Sequence, residues 1–371
     1  MSVDRHQQGL LISPRFELDD RIYAVHGSFN YAELEQRGLD AHNVLDFSVN
    51  SNPYGPSPAV VAALSTVDPT CYPDRECLAL RRALAEHLGV TPEEIVVGNG
   101  ASELIWLIAF VFLRPGDRAL IVGPTFGEYA RVARLVGAQT FHWDATFSEQ
   151  FILNSDAIAA TITATRPHVV FLCNPNNPTG MWVENHVIAT WAGAAPQTLF
   201  VVDEAYIEFV DGMSSAHTLR LPNLISVRSM TKEYAIAGLR LGYAIAAPAL
   251  IAAVAAARPP WNVNSYAQAA GLAALGDRDY LNTTLAQLNS AKSELVAALM
   301  QQGYNPMPSA TNYFLLPVEN AAHFRTQLLQ QSILVRDCTS FGLPQFIRIA
   351  TRRPDENARL QQAIGRFKGE S

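Results

Sequence analysis

Between about residue 76 and residue 246 the chain repeats one pattern, a short apolar run rich in β-branched residues followed by a helical period, and this repeat narrows the fold more than any other feature. Runs of this kind are too apolar to leave a face in water. Separated by helices, they form a mostly parallel sheet covered on both sides, an α/β architecture. The candidate strands are residues 94–97, 119–123, 168–173, 199–203, 224–227 and 242–246. Cys77, Leu80, Leu84 and Leu88 recur at helical spacing and Gly89 follows as a stop, which predicts an amphipathic helix before the first strand. The alanine-rich stretch 244–257 reads as a strand end and a helix. Ligands of open α/β sheets collect beyond the carboxyl ends of the strands, so the residues just after each run are where chemistry is expected.

At 371 residues the chain exceeds what one core usually serves. Arg258-Pro259-Pro260 interrupts the repeat, and a second domain is expected to begin there. The expected division is an N-terminal segment 1–50 packing on the small domain and the active site, a large domain 51–258 and a small domain 259–371. A net charge of −7 with scattered Lys and Arg argues against a nucleic-acid footprint or a polybasic membrane patch, which leaves small-molecule chemistry. Residues 1–10 include Asp4, Arg5 and His6 and lack the apolar run of a signal peptide, so a cytoplasmic location is expected. The longest apolar run, 104–113, is too short for the roughly 20 residues that span a bilayer. Cys71, Cys77, Cys173 and Cys338 have no zinc-like or CxxC spacing and read as reduced thiols; no metal is expected.

Four strand ends carry candidate chemistry. Gly98-Asn99-Gly100-Ala101-Ser102-Glu103 follows a run and opens an apolar helix, so its amides suit a phosphate, although an ordinary strand-to-helix turn has the same composition. Asn174-Pro175-Asn176-Asn177-Pro178-Thr179-Gly180 is a rigid loop that presents Asn177 beyond a strand, where its amide can donate to a phenolate. Asp203 ends an apolar run and is followed by Glu204, Ala205 and Tyr206; it can keep a pyridine nitrogen protonated or simply cap a helix. Ser229-Met230-Thr231-Lys232, with Arg240 eight residues beyond, groups hydroxyls and cations suited to one phosphate and one reactive amine.

Together, NPNNPTG at 174–180, DEAY at 203–206 and SMTKEYAIAGLRLGY at 229–243, in that order, resemble the fold-type I pyridoxal-phosphate enzymes, in the branch of histidinol-phosphate aminotransferases and threonine-phosphate decarboxylases. The resemblance covers nearly the whole chain. It implies a large cofactor-binding domain with a mostly parallel seven-stranded sheet and a smaller α+β domain made of the C-terminal part and the N-terminal segment. It implies pyridoxal 5'-phosphate as cofactor, held by Lys232 as a Schiff base, with Asp203 on the pyridine nitrogen, Asn177 and Tyr206 on the phenolic oxygen and Phe126 stacked on the ring. The phosphate is then met by Ala101, Ser102, Ser229, Thr231, Arg240 and, from the partner subunit of a homodimer, Tyr72. Arg348 matches the family arginine that grips an anionic substrate group, a role that bidentate geometry suits.

Four further segments resemble the decarboxylase more than the aminotransferase: His26-Gly27, DFSVNSNPYG at 46–55, PPWNVNSYAQAAG at 259–271 and VRDC at 335–338. The leading expectation is therefore decarboxylation of threonine phosphate for a cobalamin side chain, with His26, Asn50, Arg336 and Arg348 lining the pocket. Transamination of a histidinol-phosphate-like amine is the first alternative. Elimination or cyclisation of an unphosphorylated, guanidino amino acid is the second, and a cofactor-binding protein without catalysis is the third. The chain departs from the branch in having Gly27-Ser28 where a glycine pair is usual, a shorter loop between Arg336 and Arg348, and Glu233 where an aromatic follows the lysine. Glu233 reads first as a solvated side chain; an acid near this pocket would disfavour a phosphate and suit a cationic substrate.

Overall fold

The computed structural model describes residues 27–367. Its strands are β1 (Leu45–Asp46), β2 (Ile95–Asn99), β3 (Arg118–Gly123), β4 (Gln139–Asp144), β5 (Val169–Cys173), β6 (Leu199–Asp203), β7 (Leu224–Ser229), β8 (Leu241–Ala246), β9 (Tyr313–Pro317), β10 (Ile333–Leu334), β11 (Arg336–Asp337) and β12 (Phe346–Ala350). Seven of them form one sheet in the order β2-β8-β7-β6-β5-β3-β4, parallel except for β8, which runs antiparallel to β2 and β7. The inner strands are buried at nearly every position because both faces are covered, and β5 is apolar throughout. In β5, Val169, Phe171 and Cys173 enter one core while Val170 and Leu172 enter the other; in β6, Leu199 and Val201 alternate in the same way with Phe200 and Val202.

The amphipathic helix is Leu78–Leu88, and it stops at Gly89, whose φ of +65° suits a residue without Cβ. The apolar run is the helix Gly100–Phe112, which packs Leu104, Ile105 and Ile108 against the sheet. The alanine-rich stretch divides into β8 and the helix Pro248–Ala257.

A second core forms around the antiparallel sheet β11-β12-β9, where Phe314, Leu316, Ile347 and Ile349 meet Leu328, Leu360, Leu295 and Leu299. Strand β1 pairs in parallel with β10, and Phe47 beyond it enters this core. The expected boundary at residue 259 does not coincide with a change of core. The helix Ser265–Gly276 packs Ala267, Ala270 and Ala274 against Leu80, Leu84 and Ile95, so the large core continues past the proline pair. The change falls along the helix Arg278–Gln301, whose Leu281 and Leu288 lie outside the small core while Leu295 and Leu299 belong to it. Arg258-Pro259-Pro260 ends a helix while the large core continues beyond it.

Among the described residues no helix is long and apolar enough to cross a membrane, and no cluster of three His, Cys, Asp or Glu residues could hold a metal ion. Cys77, Cys173 and Cys338 are buried free thiols and Cys71 is an exposed one.

Candidate active site

Strand register brings the four motifs to one edge of the sheet. Cys173 pairs with Asp203, Asp203 with Val227, Ser229 with Gly242 and Leu241 with Asn99, so the loop 174–180, the acid 203, the segment 229–232 and the turn 98–103 all leave the sheet on the same side. This side is the carboxyl end of β2, β5, β6 and β7, where α/β sheets collect ligands.

Asp203 marks one end of the site. It is buried; its Oδ2 accepts from the Tyr129 hydroxyl at 2.7 Å and its Oδ1 from the Ala205 amide at 3.0 Å. Burial raises its pKa, opposed by the Tyr129 and Ala205 hydrogen bonds and by the charge of Lys232. Phe126 meets the edge of Tyr129 at 5.6 Å between centroids, and Tyr129 lies parallel to Phe171 at 5.3 Å. Tyr206 is also buried; its hydroxyl accepts from the Asn50 amide at 3.1 Å, and burial pushes its pKa up to about 12.

Lys232 follows the end of the neighbouring strand β7, near enough for its charge to act on Asp203. Burial, reinforced by the charge of Arg240, lowers its amine to about 8, and Nζ donates to Thr231 Oγ1 at 3.4 Å. The hydroxyls of Ser229 and Thr231 lie 2.7 Å apart. Arg240 lies against Gly100: a Cβ there would stand 2.6 Å from Nη2, and Gly100 has a φ of +80°. A Cβ on Gly242 would stand 2.5 Å from the Ala101 amide nitrogen, so β8 and the first turn of the helix Gly100–Phe112, with Ala101 and Ser102, approach at backbone distance. These contacts require glycine at both positions.

The third part comes from the small sheet. Arg336 on β11 and Arg348 on β12 are direct cross-strand partners, and both are buried. Arg348 donates through Nη1 to Asn177 Oδ1 and through Nη2 to the Ser48 carbonyl at 2.6 Å, while its buried Nε has no partner. Arg336 donates to Ser340 Oγ at 2.6 Å and lies over the Phe341 ring at 5.2 Å. Burial and the neighbouring Arg348 lower Arg336 to about 10, the consequence of two guanidiniums crowded together in a dry place.

Contacts or charges thus link Asp203, Lys232, Arg240, Arg348, Asn177, Tyr206 and Asn50, with Ser229, Thr231, Ala101 and Arg336 beside them, Phe126 joined through Tyr129 and Ser102 following Ala101 in its helix. Tyr72 is a surface residue of the chain, and His26 lies outside the described residues. Glu233 does not join the arginines. It is buried, lines a cavity of about 10 Å³ with Ser57, Tyr234, Asp277 and Tyr280, and its Oε2 has no hydrogen-bond partner. Burial lifts its pKa to about 8.

The motifs did not expose Tyr129, Tyr313 and Ser48. Tyr129 follows Phe126 by three positions, a spacing that puts both on one face of a helical turn and could have drawn attention to it. Tyr313 sits 5.3 Å beneath the Arg348 guanidinium and 5.0 Å from Tyr206, and Ser48 contributes only a carbonyl, for which the sequence holds no signal.

The sequence model described as aminotransferase class I and II matches residues 42–364. A histidinol-phosphate aminotransferase of Symbiobacterium thermophilum is 37% identical over 341 residues, covering 90% of this chain and 93% of its own. A histidinol-phosphate aminotransferase 2 of Ralstonia nicotianae is 37% identical, covering 88% and 89%. Among solved structures, a Sinorhizobium meliloti histidinol-phosphate aminotransferase in complex with pyridoxal-5'-phosphate superposes with a TM-score of 0.85 at 25% identity, over 97% of this chain and 100% of that one. An L-threonine-O-3-phosphate decarboxylase of Porphyromonas gingivalis gives 0.79 at 28% identity, over 88% and 100%.

These relatives overturn the leading expectation of a threonine-phosphate decarboxylase, because the full-length sequence similarity runs to aminotransferases. The segments that suggested the decarboxylase serve two ends in this chain. Asn52 donates to the Glu233 carbonyl, Asn262 donates to the Glu103 carboxylate and Cys338 is buried in a small apolar cluster, whereas Asn50 and Arg336 from the same segments stand beside Tyr206 and Arg348.

Proposed function

The chain belongs to the family of class I and II aminotransferases, and within it we propose that it moves the amino group of a phosphorylated amine of the histidinol-phosphate kind to a 2-oxo acid, with Lys232 holding the cofactor and Arg336 and Arg348 holding the substrate's anionic end. Its cofactor is pyridoxal phosphate. When bound, that group supplies an electron sink for the pair left at Cα when a bond there breaks.

The residues fit such a group. A backbone cradle that a Cβ at Gly100 or Gly242 would fill adjoins Arg240, with Ser229 and Thr231 nearby, which suits a phosphate. Asp203, buried at the opposite end and short of a cationic neighbour other than Lys232, suits a protonated ring nitrogen. Asn177 and Tyr206 would donate to the phenolic oxygen, and Phe126 would cover a ring face. Lys232 is brought to about 8, where its Nζ can take and return a proton at Cα close to neutral pH. In a homodimer, Tyr72 would reach the phosphate of the partner subunit.

The observation that carries the substrate reading is the buried cross-strand pair Arg336 and Arg348. Two adjacent guanidiniums favour a dianionic phosphate, and in the second half of the cycle the same pair can take the carboxylate of a 2-oxo acid. Glu233 lines a small cavity with Ser57, Tyr234 and Tyr280 and does not stand with the arginine pair, which speaks against a guanidino substrate. The test is product analysis with histidinol phosphate and a 2-oxo acid. The expected result is stoichiometric conversion of the oxo acid to its amino acid without release of carbon dioxide. Carbon dioxide release, or no turnover of the phosphorylated amine, would reject the reading.

A further inference from the structure

Tyr72 is 79% exposed and lies in a segment, residues 66–77, that contains neither helix nor strand. A side chain so placed has several rotamers open to it. Its ring is nevertheless held: it stacks on Trp261 with centroids 4.6 Å apart and planes inclined by 26°. Trp261 is itself 47% exposed, and its φ of +54° is uncommon for a residue with a Cβ. Burial of the indole in a core does not account for that backbone conformation.

The segment around Trp261 grips the Tyr72 segment at further points. Arg258, its side chain 6% exposed, pairs with Glu76 at 3.0 Å, and Gln268 donates to the Asp74 carbonyl at 2.9 Å. The neighbour of Trp261, Asn262, donates at 2.6 Å to Glu103, which also accepts from the Asn99 amide at 2.6 Å. Residues 258–268 thus form a bracket. One side fixes the chain that carries Tyr72, and the other is anchored to the start of the helix Gly100–Phe112, beside the phosphate cradle of the same subunit.

We propose that Trp261 is a positioning residue for Tyr72, a platform that holds the phenol in the orientation in which it meets the cofactor phosphate of the partner subunit. The inference rests on the reading of Tyr72 given above. The indole touches no reacting atom. It removes rotamers that Tyr72 would otherwise sample, and an aromatic pair of this geometry corresponds to roughly a three- to tenfold preference for the stacked state.

The experiment is the rate of pyridoxal-phosphate release from dimeric holoenzyme, followed by absorbance in the presence of an excess scavenger, at protein concentrations where sedimentation shows dimers only. Tyr72→Phe keeps the stack and lacks the hydroxyl, so it should release the cofactor faster than wild type. Trp261→Ala should release it about three- to tenfold faster and Trp261→Phe close to the wild-type rate, while Trp261→Ala added to Tyr72→Phe should cause no further loss. A wild-type rate for Trp261→Ala, or its full effect persisting in the Tyr72→Phe background, overturns the inference while leaving the Tyr72 reading intact. An unchanged rate for Tyr72→Phe removes the Tyr72 reading itself, and the inference with it. If Trp261→Ala does not fold, Trp261→Leu against Trp261→Phe decides: faster release from the leucine variant supports the platform, and equal release overturns it.

Discussion

Asp203 and Glu233 are both buried acids, and they differ in what meets them. Asp203 has the Tyr129 hydroxyl on one oxygen and the Ala205 amide on the other, and Lys232 lies close enough for its charge to favour the carboxylate. Tyr129→Phe removes one of these donors. The carboxylate becomes harder to keep ionised, and turnover should fall by about tenfold with little change in KM for the amine, as expected for loss of one hydrogen bond to a charged group. An unchanged kcat would reduce Tyr129 to packing. Glu233 has no partner at Oε2, and its pKa of about 8 exceeds the value near 4.3 expected in the unfolded chain. Between those values the folded state holds a proton that the unfolded state has released. The associated stability is fully present below about pH 4.3 and is lost as pH rises through about 8. Glu233→Gln abolishes this titration, so its melting temperature relative to wild type should rise between about pH 5 and pH 9. A pH-independent difference would show that Glu233 stays ionised in the folded protein.

Strand β8 and the helix Gly100–Phe112 meet through backbone atoms, because Gly242 leaves no Cβ between β8 and the Ala101 amide. Gly242→Ala must push the helix start away from the sheet. Cofactor affinity is expected to drop by at least about tenfold, with a melting temperature lower by several degrees, readable by equilibrium dialysis and thermal unfolding. Wild-type affinity would mean that the cradle lies elsewhere. At this scale much of the fold was legible in the sequence: β5 and most of β6 are apolar runs because two cores claim their alternate residues, and each motif at the strand ends survives as a loop or helix start. Strand β4 was not legible. It is the sheet's edge, and Gln139, Thr140, His142 and Asp144 remain polar at positions that only one neighbour covers. The boundary at residue 259 misled for a related reason. Prolines end a helix visibly, whereas a helix that passes from one core to another, as Arg278–Gln301 does, keeps a single period throughout. The pairing of Arg336 with Arg348 could not be read from their spacing, since it depends on β11 and β12 being antiparallel neighbours. Nor did the motifs separate decarboxylation from amino transfer, because residues such as Asn262, bonded to Glu103, and Cys338, packed in an apolar cluster, are engaged within the fold.

The site as a whole is assembled from both cores. Lys232, Asp203 and Asn177 leave the seven-stranded sheet, Arg336 and Arg348 come from the small sheet, and Ser48 follows the short strand that pairs with the small domain. The hydrogen bond from Arg348 to Asn177 joins the two parts directly at the proposed boundary between cofactor and substrate. A substrate whose phosphate engages the arginines while its amine reaches Lys232 would bridge the two cores, and the distal group therefore governs how productively the amine is placed. In the proposed reading this distal group is a phosphate held by the arginine pair. Its most direct test is the ratio of kcat/KM for histidinol phosphate to that for unphosphorylated histidinol, in wild type and in Arg336→Ala, with cofactor content measured in both. The expected wild-type ratio is well above one and falls by roughly ten- to a hundredfold in the variant, with cofactor content unchanged. The same ratio in both proteins would contradict it.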